Sequence, residues 1–199
     1  DTCWACGRAS EEDGGGMELK PGYKQTEVGV IPEDWDVKSV SSVAEVKGRV
    51  GWRGYTKADL RKAGPLAIGA KHIDDHNRLD LSEPTHLSIE KFLESPEIMV
   101  ESGDILVVQR GTIGKLVFIE KTVGEATINP SMAILRSNNV EPSYVFYQLV
   151  SELGQNQILL DTSSTGVPMI TQQQIGNFLI PFPSLSEQTA IAPILSDMD

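Results

Sequence analysis

Apolar residues recur along the chain with two different spacings, and these spacings predict both strands and helices. Two short apolar runs, DILVVQR at 104–110 and KLVFIE at 115–120, flank Gly111 and Gly114. This pattern is typical of two strands paired across a tight turn. Further strands are predicted from their β-branched and apolar content at 66–70, 131–136 and 177–180.

Helices are predicted where a capping residue precedes apolar positions three or four residues apart. Thr56 and Asp59 have the spacing of a capping box and Gly64 is a stop signal, so a short helix is expected over 57–63. Three further helical segments are expected at 88–94, at 142–154 with Gly154 as its end, and at 171–175.

The final segment, 180–199, predicts a short strand followed by a capped helix. Ser184 and Glu187 form a second capping-box pattern. Pro193 lies inside this helix, where a proline removes a backbone hydrogen bond, so a kink or an early break is expected there. Apolar residues follow at roughly helical spacing and predict a stripe that packs against something outside the chain: Leu185, Ile191, Ile194, Leu195 and Met198.

Strands and helices follow one another without strict β–α–β alternation, so the predicted fold class is α+β. The expected architecture is a mixed, twisted β-sheet domain with short helices, which leads into the start of a long helix. A hydrophobic content of 40% in 199 residues is enough for one core.

The net charge of −11 argues against a protein that coats nucleic acid nonspecifically. The charge is uneven, however, because residues 46–73 carry a net +6 and the remainder −17. Trp52 and Tyr55 lie within this basic segment. A basic patch on an acidic body fits a protein that contacts phosphate with one face, although a solvated helix face would give the same pattern.

Residues 1–16 are polar and glycine-rich, and Met17 follows them, so they are expected to be a disordered leader extraneous to the domain. Cys3 and Cys6 form a lone CxxC without the further ligands that a zinc site needs. The chain shows neither a signal-peptide layout nor an apolar run of membrane-spanning length, which favours a cytoplasmic location.

Motifs for catalysis are weak. His72 and His76 have the spacing of metal ligands on a helix, but the segment HIDDH is expected to be a loop. A nuclease would need acids and a lysine around a divalent metal, and only a weak match (PED at 32–34 with EVK at 45–47) exists. Asn129-Pro130-Ser131 is only half of an amino-methyltransferase motif, and no glycine-rich nucleotide motif is present. Neither a cofactor nor a catalytic residue is therefore expected.

Three segments together resemble the specificity subunit of bacterial type I restriction–modification enzymes. They are 20–40 (KPGYKQTEVGVIPEDWDVKSV), 103–115 (GDILVVQRGTIGK) and 166–199. The resemblance covers 17–199 and implies a target recognition domain at 17–183 and the start of a spacer helix at 184–199. Members of this family usually carry two recognition domains and two long helices, so one domain with a short helix implies a fragment or a half-subunit.

The resemblance implies sequence-specific binding of double-stranded DNA without chemistry. Each recognition domain would recognise half of a bipartite target, and the spacer helices would dock methyltransferase subunits and, through them, the restriction subunit. Self-association of two half-subunits would also allow a palindrome to be recognised.

Cations, hydroxyl groups and one aromatic residue are the candidate DNA contacts. Arg49 and Arg53 are expected on guanine, where a bidentate contact provides discrimination. The full candidate set is Lys47, Arg49, Arg53, Tyr55, Lys57, Arg61, Lys62, Lys71, Arg110, Thr112, Lys115 and Thr165. The candidate partner-binding set is Leu185, Ile191, Ile194, Leu195 and Met198.

Two alternatives remain open from the sequence. One is a half-subunit that acts mainly as a protein-assembly adaptor for methyltransferase chains, which the apolar terminal helix favours. The other is a metal-dependent nuclease domain, which would require cleavage that depends on a divalent metal.

Overall fold

A computed structural model describes residues 19–49, 54–161 and 167–196. The expected leader at 1–16 lies outside these ranges. The strands are β1 Tyr23–Thr26, β2 Gly29–Pro32, β3 Asp36–Ser39, β4 Ala44–Lys47, β5 Leu60–Ile68, β6 His86–Leu87, β7 Asp104–Val108, β8 Leu116–Phe118, β9 Ala126–Ile128, β10 Met132–Ser137 and β11 Leu179–Phe182. The α-helices are α1 Val40–Val43, α2 Ile89–Leu93, α3 Pro142–Val150, α4 Glu152–Asp161, α5 Gln172–Asn177 and α6 Leu185–Ser196.

An antiparallel sheet with the order β4–β10–β7–β8 forms the centre of the fold. All five residues of β7 are buried, which explains why its sequence is an unbroken apolar run after Asp104. Because successive side chains of a strand point to opposite faces, this sheet must be covered on both sides. The predicted pairing of the runs around Gly111 and Gly114 is confirmed by the β7–β8 register, in which Leu106 faces Val117.

Two hydrophobic clusters cover the two faces of the central sheet. Alternate residues of one strand enter different clusters: Ile105 and Val107 join one, whereas Leu106 and Val108 join the other. The first cluster is completed by residues of α1, α3, α4, α5 and β11, and the second by residues of β5, β9 and the 96–100 segment. The mixed strands and helices confirm the predicted α+β class.

A three-stranded sheet, β6–β5–β9, replaces the helix expected over 57–63. The Thr56–Asp59 capping box is present, but it caps only a single 3₁₀ turn at Lys57–Asp59. The chain then extends as β5, and Gly64 lies inside the strand with φ +133° rather than ending a helix. A Cβ at Gly64 would lie 2.8 Å from the Leu87 carbonyl oxygen, so glycine allows a bulge where β5 shifts register against β6.

The predicted helix over 142–154 is two helices. Helix α3 ends at Val150, because Ser151 adopts an extended ψ of 161°, and Gly154 belongs to α4. A Cβ at Gly154 would overlap the Gln148 and Leu149 carbonyl oxygens. Glycine at this position therefore allows α4 to approach the end of α3 closely. The spacing of apolar residues along the sequence does not reveal this contact.

Helix α6 is joined to the rest of the fold at its first turn. The Ser184–Glu187 capping box is confirmed, since the Glu187 carboxylate accepts from the Ser184 backbone N–H at 2.9 Å. Trp35 Nε1 donates to the same carboxylate at 3.2 Å. The expected break at Pro193 is wrong, because the helix continues to Ser196.

The other predicted helices and strands are present in the structure, and they differ from the prediction in their first and last residues. The helix capped by Ser88 and the one capped by Thr171 are confirmed as α2 and α5. The strands expected at 66–70, 131–136 and 177–180 are observed at Leu60–Ile68, Met132–Ser137 and Leu179–Phe182. Among the described residues, no helix is both long and apolar enough to span a membrane.

A buried ion pair fixes the start of β7 against β10. Asp104 is 0% exposed and accepts from Arg136 Nε and Nη2, each at 2.8 Å. Arg136 also donates to the Met99 carbonyl and to Glu101. These hydrogen bonds raise the pKa of the Arg136 guanidinium, chiefly through Asp104. The pair thus locks the turn at 99–104 onto the central sheet.

We expect Arg136→Ala to lower the free energy of unfolding by about 3 kcal/mol or more, because it leaves the Asp104 carboxylate buried without its partner. Urea denaturation measures this loss. Lys62→Ala is the control, since Lys62 is exposed and an exposed substitution of this kind should change stability by about 0.5 kcal/mol or less. Equal losses in the two variants would contradict a structural role for the Arg136–Asp104 pair.

Candidate nucleic-acid interface

The first half of β5 forms an exposed arm, here called the β5 arm (residues 57–64), that carries three cations. Residues 60–64 are all exposed, and β6 is the only strand paired with them among the described residues. Lys57 and Lys62 are exposed, and their side chains form neither a hydrogen bond nor an ion pair within the described ranges. Arg61 Nη1 instead donates to the Ala58 and Leu60 carbonyls. The arm therefore presents two ammonium groups to solvent.

Arg49 is directed into the fold rather than away from it. Its Nη1 donates to Ser95 Oγ at 3.2 Å, and its Nη2 donates to the Ile128 carbonyl at 3.0 Å. Burial is the largest cause of a lowered pKa for this guanidinium. Arg49 thus bridges the end of β4, the start of the 96–98 turn and the end of β9. In this conformation both terminal nitrogens are engaged, and the guanidinium is not presented for the predicted guanine contact.

Tyr55 lies near Arg49 and is half-buried. Burial raises the pKa of its phenol, while the nearby Arg49 charge opposes the shift. The ring therefore stays protonated at neutral pH.

Arg53, Trp52 and Thr165 lie outside the described residues, as does Met198 of the partner-binding set. Their predicted roles therefore stay predictions.

Three candidate lysines are already engaged with the protein. Lys47 pairs with Glu45 at 2.9 Å, and Lys115 pairs with Asp75 at 2.7 Å. Lys71 donates to the Glu83 carbonyl at 3.1 Å. The Glu45 and Asp75 side chains are 58% and 92% exposed, so solvent screens both ion pairs. Lys115 also donates to the Ile73 carbonyl at 3.1 Å.

Arg110 and Thr112 occupy the turn that joins β7 to β8. Gly111 and Gly114 have φ of 91° and 95°, a region that favours glycine, so both are needed to form this turn. Arg110 and Thr112 are exposed, and Arg110 Nη2 donates only to the Met169 thioether, a weak acceptor, within the described residues. The turn thus places a guanidinium at the protein surface.

A groove of about 360 Å³, here called the amide groove, opens beside Arg110. Its lining consists of Gln109, Arg110, Pro130, Ser131, Met169, Ile170, Thr171, Gln172 and Gln173. A second cleft of about 600 Å³ shares Gln172 and Gln173 with it and contains Lys47. Charge patterning did not single out the glutamines, although the Thr171 cap does place them on the first turn of α5.

Helix α6 packs on the fold with fewer apolar residues than predicted. Its buried residues are Gln188 and Ala192, and Gln188 bonds to the Glu141 N–H and the Pro183 carbonyl. Of the predicted stripe, Ile191 and Leu195 are half-buried, whereas Leu185 and Ile194 are 54% and 61% exposed. The helix therefore leaves apolar surface open after it has packed on the domain.

The two histidines of the HIDDH segment lie in different surroundings. His72 is buried, its Nδ1 accepts from the Gly69 N–H at 2.9 Å, and burial is the largest cause of its lowered pKa. His76 is exposed in the following loop. In the part of the chain that the structure describes, no three His, Cys, Asp or Glu residues are grouped so as to hold a metal.

This chain is similar in sequence to known proteins of one family. Residues 32–199 match the type I restriction modification DNA specificity domain. The chain is 30% identical over 185 residues to the candidate MjaX type I restriction enzyme specificity subunit of Methanocaldococcus jannaschii, covering 89% of this chain and 42% of that protein. The MjaVIII specificity subunit of the same organism is 25% identical, with the same two coverages. The chain thus spans about two-fifths of the length of these curated relatives.

A solved structure shares the fold. The HsdS subunit from Thermoanaerobacter tengcongensis superposes with a TM-score of 0.61 at 19% identity, over 84% of this chain and 38% of that one. At this identity the likeness concerns the fold alone.

We expect Arg49→Ala to lower the free energy of unfolding by about 2 kcal/mol, because hydrogen bonds to charged groups contribute about 1.5–3 kcal/mol. The Ile128 carbonyl and Ser95 hydroxyl would each lose a donor. Lys62→Ala is the control, and an exposed substitution of this kind should change stability by about 0.5 kcal/mol or less. Identical urea midpoints for the two variants would show that the Arg49 contacts do not stabilise the fold.

Proposed function

We propose that the chain, which belongs to the type I restriction modification DNA specificity family, binds double-stranded DNA in a sequence-specific manner. The observation that carries this proposal is the exposed pair Lys57 and Lys62 on the β5 arm of a protein with a net charge of −11. Cations concentrated on one exposed element attract phosphate, while the acidic remainder limits nonspecific association.

The proposed mechanism separates affinity from specificity. Lys57 and Lys62 contact phosphates, and Lys47, Lys71 and Lys115 do so once their exposed or backbone partners are exchanged. Arg61, Arg110, Thr112 and Tyr55 add contacts around the same segments. Sequence preference then comes from side chains that reach base edges. In this mechanism the domain is non-catalytic and uses no cofactor.

We further propose that the chain recognises one half of a bipartite target. The aligned part of the chain covers 42% of each of these two curated relatives, which leaves room in them for a second domain of the same kind. A second recognition domain, or a second copy of this chain, would supply the other half. Pairing of two copies would favour a palindromic target.

The second proposed role is docking of methyltransferase subunits through α6. Exposed apolar side chains on a helix that has already packed on its own domain favour a protein partner. Ile194 is the exposed member of this surface, beside the half-buried Ile191 and Leu195. Leu185, also exposed, lies nine residues earlier, on about the opposite side of the helix. The restriction subunit would join through the methyltransferase. If DNA binding were weak, the same surface would make the chain chiefly an assembly adaptor.

We expect the double variant Lys57→Ala/Lys62→Ala to weaken binding of a random-sequence duplex and to reduce the slope of log Kd against log salt by about 2, since each lost phosphate contact reduces the slope by about 1. Fluorescence anisotropy over a salt series measures both. Lys24→Ala is the control, because Lys24 lies on β1 and donates to the Glu33 carbonyl. An unchanged salt slope in the double variant would contradict phosphate binding by the β5 arm.

We expect Ile194→Asp to weaken binding to the methyltransferase subunit by about tenfold or more, because it places a charge in a proposed apolar contact. Thr189→Asp is the control on the same helix, since Thr189 is also exposed but polar. Calorimetric titration with the purified methyltransferase subunit measures both. Equal affinities for the two variants would contradict docking through Ile194.

A further inference from the structure

The structure points to the amide groove as a surface that recognises base edges, and we propose Gln172, Gln173 and Arg110 as its specificity-determining residues. This inference rests on the proposed DNA-binding function and assigns that function to a defined place. The ligand is the edge of base pairs in duplex DNA, as distinct from the phosphate backbone.

Backbone hydrogen bonds hold the walls of the groove in fixed positions. The Ile170 N–H donates to the Gln109 carbonyl at 2.9 Å, and the Gly111 N–H donates to the Pro168 carbonyl at 3.1 Å. The Gln109 N–H donates to the Ser131 carbonyl at 2.8 Å, which holds the segment around Ser131 against Gln109. A preorganised surface loses little conformational entropy when it binds, as selective recognition requires.

The groove is uncharged apart from one cation. None of its nine lining residues is acidic, although the chain contains 28 aspartates and glutamates. Its polar groups are amides, hydroxyls and the Arg110 guanidinium. Amides pair bidentately with adenine, and arginine pairs bidentately with guanine, so this lining has the chemistry of direct base readout.

The key side chains are available for a ligand. Gln172 and Gln173 are exposed, and neither amide forms a hydrogen bond with any described residue. The neighbouring Gln174 contrasts with them, because it accepts from the Thr171 N–H at 2.9 Å and completes the cap of α5. The cap thus fixes the helix start with one glutamine and leaves the other two facing solvent beside Arg110.

The groove also adjoins the proposed phosphate contacts. Gln172 and Gln173 line the neighbouring cleft that contains Lys47. Gly48, the next residue, lies directly against Gln172, since a Cβ at this position would overlap the Gln172 amide. Gln172 and Gln173 therefore line two adjoining clefts, one with Arg110 and one with Lys47 and its ion-pair partner Glu45. Groups for positioning on phosphate and for base readout thus lie side by side.

The test is a parallel selection from a random duplex library, with the 199-residue chain and its variants, at low salt so that phosphate contacts retain all proteins on DNA. The variants are Gln172→Ala/Gln173→Ala and Arg110→Ala. Gln25→Ala, an exposed amide on β1, and Lys62→Ala, on the β5 arm, are the controls. Sequencing yields the preference for each base at each motif position, and urea denaturation verifies that every variant is folded.

We expect the glutamine double variant and Arg110→Ala each to lose discrimination at different motif positions, by roughly 5- to 100-fold per position. The preferences of Gln25→Ala should match those of the unmodified chain, and Lys62→Ala should bind all sequences uniformly more weakly.

Unchanged base preferences in both groove variants, with or without a uniform loss of affinity, would overturn this inference while leaving DNA recognition intact. An unmodified chain that enriches no motif would instead overturn the proposed function itself. The two failures are therefore distinguishable within one experiment.

Discussion

Burial of the central sheet on both faces is the constraint on which the rest of the structure depends. Strand β7 has no exposed residue, so its alternate side chains require a helical layer on one face and the β6–β5–β9 sheet on the other. The charged group inside this arrangement, Asp104, is tolerated because Arg136 satisfies it bidentately. Exposed polar side chains therefore lie outside this sheet, for example on the β5 arm and on the first turn of α5.

Cations that lie close together in the sequence have different surroundings in the fold. Arg49 and Lys47 are two residues apart, yet Arg49 bridges buried parts of the fold and Lys47 lies in an open cleft. Lys62, on the exposed arm, has no partner among the described residues. A basic segment is therefore not a uniform binding surface. In this account, its inward member stabilises the domain and its outward members attract DNA.

Local signals in the sequence predicted local structure well. The capping patterns at Thr56, Thr171 and Ser184 all form, and the paired runs around Gly111 form β7 and β8. Tertiary effects were not predictable. Gly64 matched a helix stop but permits a bulge against Leu87, and Gly154 matched a helix end but permits close helix packing. The amide groove joins parts of the chain some 60 residues apart, so charge patterning favoured the basic segment and missed its glutamines.

The most direct test of the account is the ratio of dissociation constants for an enriched duplex and a scrambled duplex of the same composition, measured with this chain at physiological salt. Sequence-specific recognition predicts a ratio of about 10³ or more. A ratio near 1, with binding of both duplexes lost as salt rises, would mean that the domain contacts phosphate alone and would contradict the central claim.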